Sequence, residues 1–195
     1  MIAIIDYDAG NTRSVMNLLK RLRVPFELTD DLNKIQNSDK VILPGVGHAA
    51  AAMNRLKQKE LIDPILKISQ PFLGICVGMQ LMYSFSEEGD TPCLGILPEQ
   101  VKAFRPSPRF KVPHMGWNTN ELINEDEFLF TGVDHAETYF VHSYYAEISP
   151  DAIATCDYET KFASAVRKDN FYGVQFHPEK SGRIGELIMK NFLSL

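Results

Sequence analysis

The sharpest chemistry in the chain sits at Gly74-Ile75-Cys76-Val77-Gly78. A strand signal over Pro71 to Ile75 hands over there to an apolar helical run, which is the cysteine form of a nucleophile elbow. The two glycines let the chain turn sharply and let neighbouring backbone approach. The turn presents the sulfur at the strand end, and a helix N-terminus beneath it favours the thiolate, the reactive form. The Val77 amide is then placed to donate to an oxyanion. Read blandly, the same residues are a buried cysteine between packing glycines. Cys93 and Cys156 have no comparable setting and read as structural.

Gln175-Phe176-His177-Pro178-Glu179 is a second candidate, at the end of another strand signal. Proline biases His177 to extended backbone. Side chains at i and i+2 on extended chain point to one side, so Glu179 can hold one imidazole nitrogen while the other faces a nucleophile. Alone, this is a loop with a stray histidine. Beside a cysteine elbow it completes a nucleophile, base and orienter. A third segment, Pro44-Gly45-Val46-Gly47, lacks the residues of a phosphate loop. Next to Cys76 it reads as an oxyanion loop, with the amides of Gly45, Val46 and Gly47 beside that of Val77. One such donor is typically worth ~2.7–4 kcal/mol in the transition state.

These segments must be carried by elements that end on one edge. Ile2 to Asp6, Val24 to Leu28, Lys40 to Leu43 and Pro71 to Ile75 read as strands. Between them, Val15, Leu18, Leu19 and Leu22 mark a helix face capped by Asn11 or Thr12, and Ala49 to Lys59 is rich in helix formers. Val77 to Phe85 reads as a helix apolar on nearly every side. This alternation predicts a parallel sheet covered on both faces. The second half changes style, with strand signals at Tyr139 to Ile148, Ala152 to Cys156, Phe162 to Arg167 and Phe171 to Phe176. Asp169-Asn170 is a turn between the last two. A final helix follows Ser181, with Ile184, Leu187, Ile188 and Phe192 on one side. The expected fold is α/β, one domain over 1–195, with a mostly parallel central sheet, helices on both faces and an antiparallel extension.

Composition narrows the setting. The chain has 195 residues, 45% of them hydrophobic and 23% charged, with 12 Gly and 11 Pro, which excludes disorder, collagen-like repeats and coiled coil. Its net charge of -5 disfavours nucleic acid as a partner. Three cysteines are no disulfide framework and fit a reducing compartment. The start is neither basic nor apolar for long enough to be a signal peptide, and no run reaches the ~20 apolar residues of a membrane span. The expectation is a cytoplasmic protein that needs no metal and no cofactor.

Together, the extended run Gly74-Ile75-Cys76-Val77-Gly78-Met79-Gln80, the Pro44–Gly47 loop and His177-Pro178-Glu179 resemble the class I (triad) glutamine amidotransferases, over essentially the whole chain and in the right order. Within that family, Pro113-His114-Met115-Gly116-Trp117-Asn118 and Tyr139-Phe140-Val141-His142-Ser143-Tyr144 are similar to the glutaminase subunits of imidazole glycerol phosphate synthases. The resemblance implies that Cys76, His177 and Glu179 hydrolyse L-glutamine. It also implies that Gln80, Glu88, Ser143 and Tyr144 hold the glutamine head group. Asn11, Trp117, Tyr139 and Lys180 then face a (β/α)8-barrel cyclase subunit, which receives the ammonia and makes imidazole glycerol phosphate and a carboxamide ribonucleotide. It implies further that the oxyanion loop is misoriented until that partner carries its own ligand. Two other readings remain: a free-standing cysteine hydrolase of the same fold, and a binding module that has lost the chemistry.

Overall fold

The computed structural model describes residues 1–8, 10–124, 126–133 and 136–195. Its first part alternates as expected. β1 (Ile2–Ile5), α1 (Thr12–Arg21), β2 (Phe26–Thr29), α2 (Leu32–Gln36), β3 (Lys40–Gly45), α3 (Ala49–Gln58), α4 (Ile62–Leu66), β4 (Phe72–Cys76) and α5 (Val77–Gln80) follow in order. Every residue of β1, β3 and β4 is buried, which is why these runs, apart from Lys40 at the start of β3, are continuously apolar rather than alternating. The second part holds β5 (Phe85–Ser86), β6 (Thr91–Pro92), β7 (Gln100–Ala103), β8 (His114–Thr119), β9 (Glu121–Leu122), β10 (Glu137–His142), β11 (Tyr144–Ala146), β12 (Ala152–Asp157), β13 (Lys161–Lys168), β14 (Phe171–Val174) and α6 (Gly182–Leu193).

Among the described residues the main sheet runs β2-β1-β3-β4-β14-β13-β12-β9. β2, β1, β3, β4 and β14 are parallel, and β13, β12 and β9 extend the sheet in antiparallel fashion. The pairing of β14 with β4 sets Val174 opposite Ile75, so the residues that follow each strand emerge side by side. Helix α1 buries Val15, Leu18 and Leu19, and α6 buries Ile188, Met189 and Phe192 against the sheet. Two smaller sheets complete the fold, a β10-β8 ribbon and a four-stranded β11-β7-β5-β6 sheet. No helix among the described residues is long and apolar enough to cross a membrane.

Two sequence expectations are corrected. The helix expected over Val77 to Phe85 stops at Gln80, because the next carbonyls bond elsewhere: Leu81, Met82 and Tyr83 accept from the amides of Leu94, Leu97 and Gly95. The strand expected over Tyr139 to Ile148 is two strands. β10 pairs with β8 and β11 with β7, and the Ser143 carbonyl between them accepts from Phe104. No glycine or proline marks that change of partner. β7 and β8, in turn, flank a proline-bearing stretch in which no strand period stands out.

The close packing of α5 on the strands rests on glycines. A Cβ on Gly78 would lie 2.0 Å from the Leu43 carbonyl oxygen, and one on Gly45 would lie 2.4 Å from the Gly78 nitrogen. We expect Gly78→Ala to lose about 3 kcal/mol or more in urea unfolding. Gly95, at φ +68° with open space around a Cβ, should lose only about 1–2 kcal/mol as alanine. A Gly78→Ala protein as stable as wild type would contradict this packing.

Candidate active site

Cys76 closes β4 and opens α5 with φ +54°, a left-handed conformation that a cysteine adopts at a cost of about 1–3 kcal/mol. Its Sγ lies 3.9 Å from the Val141 carbonyl oxygen and 3.7 Å from Gln175 Nε2. Gly45, at the end of β3, pairs with Cys76 and brings the loop of Val46 and Gly47 alongside it. Val77 is the first residue of α5, where backbone amides have no intrahelical acceptor.

His177 follows β14, the neighbour of β4. Its amide donates to the Tyr139 carbonyl at 2.9 Å, and Ser181 Oγ donates to its carbonyl at 2.6 Å, so its backbone is tied on both sides. A short turn over Pro178–Lys180 places Glu179 beside it. His177 Nδ1 and Glu179 Oε1 are 2.9 Å apart, with both side chains 1% exposed. His177 Nε2 is buried and makes no hydrogen bond. Burial works against a charge on His177, but Cys76 and Glu179 outweigh it and raise the imidazole to about 10. With no hydrogen bond formed at Nε2, the influence of Cys76 is that of a near neighbour across the pocket.

Cys76 and His177 line one cavity of about 180 Å³ together with Val46, Gly47, Val77, Gln80, Glu88, Val141, His142, Ser143 and Tyr144. That is below the roughly 300–1,000 Å³ of drug-sized sites and suits a single small metabolite. A larger, open groove of about 960 Å³ beside α3 is lined by none of Cys76, His177 and Glu179. Gly45 does not line the smaller cavity; its part is the close approach to α5. Glu88 lines it, and its Oε2 also accepts from the Ala49 amide at 2.7 Å, the start of α3. Gln80 lines it, but its Nε2 donates to the Tyr144 carbonyl at 2.8 Å and to Gln175 Oε1 at 2.9 Å. Among the described residues no three His, Cys, Asp or Glu side chains gather as a metal-binding group.

The residues expected to face a partner divide. Trp117 is 57% exposed and meets Tyr139 edge-on at 6.2 Å, with Lys180 Nζ 5.8 Å from the Tyr139 ring. Asn11, half-buried, caps α1, accepting from the Ser14 amide. Sequence reasoning assigned no role to Gln175 or His142. For Gln175 a signal existed, since it stands two residues before His177 on extended chain and so shares its side. His142 forms a buried pair with His114, Nε2 to Nδ1 at 2.9 Å. Burial pushes His114 down to about 4; His142 falls to about 3, mainly by burial and also through the charges of His114 and His177.

The profile of the family "Glutamine amidotransferase class-I" matches residues 3–194. The chain belongs to the class-I glutamine amidotransferases. The imidazole glycerol phosphate synthase subunit HisH of Bacteroides fragilis is 52% identical over 100% of this chain and 99% of its own. That of Idiomarina loihiensis is 44% identical over 100% and 97%. The chain thus groups with the HisH proteins of that family. Among solved structures, a glutamine amidotransferase superposes with a TM-score of 0.75 at 16% identity, over 100% of this chain and 98% of its own, which shows the shared fold.

The histidine pair makes the amidotransferase acid-sensitive. The unfolded chain binds protons at histidine below about pH 6.5, while the folded pair refuses them until about 4 and 3. The unfolded state therefore binds more protons in that window, and stability falls as pH drops through it. We expect the melting temperature to fall more steeply between pH 6.5 and 4 for wild type than for His142→Asn. Parallel curves would contradict this origin of acid sensitivity.

Proposed function

We propose that residues 1–195 act as one cytoplasmic glutaminase domain that hydrolyses L-glutamine to glutamate and ammonia through Cys76, His177 and Glu179. The ammonia passes to a (β/α)8-barrel cyclase subunit with which the chain forms imidazole glycerol phosphate synthase, in histidine biosynthesis. The observation that carries this reading is the meeting of an elbow sulfur and a buried, unpartnered His177 Nε2 at one small cavity, with the Glu179 carboxylate on the far side of the imidazole. The full-length likeness to HisH proteins supports the pathway and the partner.

The chemistry follows from the groups. His177, protonated at neutral pH, already holds the proton of the Cys76–His177 pair as Sγ attacks the carboxamide carbon of glutamine, and Glu179 holds the imidazole through Nδ1. The amides of Val77 and of the Val46–Gly47 loop receive the oxyanion. His177 then gives its proton to the departing nitrogen, releasing ammonia and leaving a glutamyl thioester on Cys76. A water loses a proton to His177, attacks the thioester carbonyl and frees glutamate. Gln80, Glu88, Ser143 and Tyr144 form the wall for the glutamine head group. Gln80 acts there mostly through its hold on the Tyr144 carbonyl.

The partner fits the outer face of the β8-β10 ribbon. Met115 and Trp117 are 63% and 57% exposed on it, opposite Val141 and Tyr139, and Lys180 lies beside Tyr139. Val141 also lines the cavity, so this face adjoins the nucleophile. Val46 is 38% exposed, and Gly47 holds φ +95° with nothing within 4 Å of a Cβ, so the oxyanion loop has room to be reset on docking.

Cys76→Ala should abolish glutamate release with the fold intact. His177→Asn should cost ~10²–10⁴ in rate, and Glu179→Gln less, because it orients without transferring the proton. Glutamate release should rise from the chain alone, to the chain with the cyclase, to the complex with the cyclase's nucleotide bound. Equal rates in all three states would contradict partner control, and an active Cys76→Ala protein would contradict the triad.

A further inference from the structure

The polar side chains behind the cavity form one chain of hydrogen bonds whose two arms both donate to the Tyr144 carbonyl. The Tyr144 carbonyl can only accept. Gln80 Nε2 lies 2.8 Å from it and 2.9 Å from Gln175 Oε1, so Gln80 presents its nitrogen and Gln175 answers with its oxygen. The Gln175 nitrogen is thereby turned to Cys76 Sγ at 3.7 Å. The same carbonyl fixes the direction on its other side. His142 Nδ1, 2.8 Å away, must carry its proton there. His142 Nε2 therefore accepts from His114 Nδ1 at 2.9 Å, and His114 Nε2 accepts from Asn118 Nδ2 at 3.2 Å. Gln175 and Gln80 are 0% and 2% exposed, so a flipped amide would set a buried donor against a donor. The lowered titration of both histidines keeps one proton on each ring at neutral pH.

We propose that Gln175 is a further catalytic residue, the donor that steadies negative charge on Cys76 Sγ. Gln80 is the positioning residue that holds its amide in the donating orientation, and His142 is a positioning residue that fixes the Tyr144 carbonyl against which Gln80 is held. The proposal rests on the glutaminase reading for the reaction it serves, while the hydrogen-bond chain stands on geometry. The chain starts at Asn118, next to Trp117 on the exposed ribbon, and ends on the nucleophile. It thus joins the face offered to the partner with the reacting atom.

The test is the alkylation rate of Cys76 by iodoacetamide near neutral pH, read by peptide mass spectrometry on the full chain, with Cys93 as internal control. Gln175→Leu should slow Cys76 about tenfold and leave Cys93 unchanged, since a hydrogen bond to a charged atom has been removed. His142→Leu should slow it about threefold, and His142→Asn, whose amide reaches the Nδ1 position, should recover most of that loss. An unchanged Cys76 rate in a natively folded Gln175→Leu protein overturns the proposal. If that variant loses its fold, seen as rapid labelling of buried Cys156, the His142 pair decides: equal rates for Leu and Asn overturn it. Failure of the wild-type complex to release glutamate would instead overturn the glutaminase reading, and the alkylation ratios are independent of that result.

Discussion

The site depends on one register, the parallel pairing of β14 with β4. With Gly173 opposite Gly74 and Val174 opposite Ile75, the next residues of the two strands leave the sheet together. On one side is Cys76, turned outward by its positive φ; on the other are Gln175 and His177. Parallel sheets bind ligands outside the carboxyl ends of their strands, where side chains from sequence-distant strands converge. A slip of one residue along β14 would send Gln175 and His177 to the opposite face. The glycines that seat α5 against β3 and β4 serve the same end, because they bring the oxyanion loop and the elbow within backbone contact.

Rigid and open parts of the cavity are divided. The nucleophile side is over-determined, with His177 tied through its amide, its carbonyl and Nδ1, and Gln175 held by Gln80. The loop of Val46 and Gly47 has few neighbours. The proposed gating by a partner would use this arrangement. Groups that transfer protons must be fixed in advance, whereas the oxyanion donors can wait for a signal. The ribbon is suited to carry that signal, since its outer face is exposed and apolar while its inner face holds the His114–His142 pair.

Much of this was legible in the sequence. The buried strands are continuous apolar runs, and the elbow and the His-Pro-Glu segment announce their chemistry by type and spacing. What escaped was set by tertiary bonding. Helix α5 ends early because later carbonyls find acceptor roles with the 94–97 segment. The break at Ser143 is a change of partner sheet that leaves no mark on the residue pattern. Glu88 read as a ligand for substrate, and its link to the Ala49 amide depends on where α3 starts in space. Spacing alone puts Gln175 on the side of His177, whereas its link to Gln80 and that of His142 to Tyr144 depend on a three-dimensional chain of donors and acceptors.

The most direct test is the titration of the His177 imidazole, followed by nuclear magnetic resonance in wild type and in Cys76→Ala. If sulfur, imidazole and carboxylate share one buried cleft, His177 stays protonated far above the ordinary range, near pH 10, and loses its proton at a distinctly lower pH once the sulfur is gone. An imidazole that titrates near its ordinary ~6.5 in both proteins contradicts that convergence.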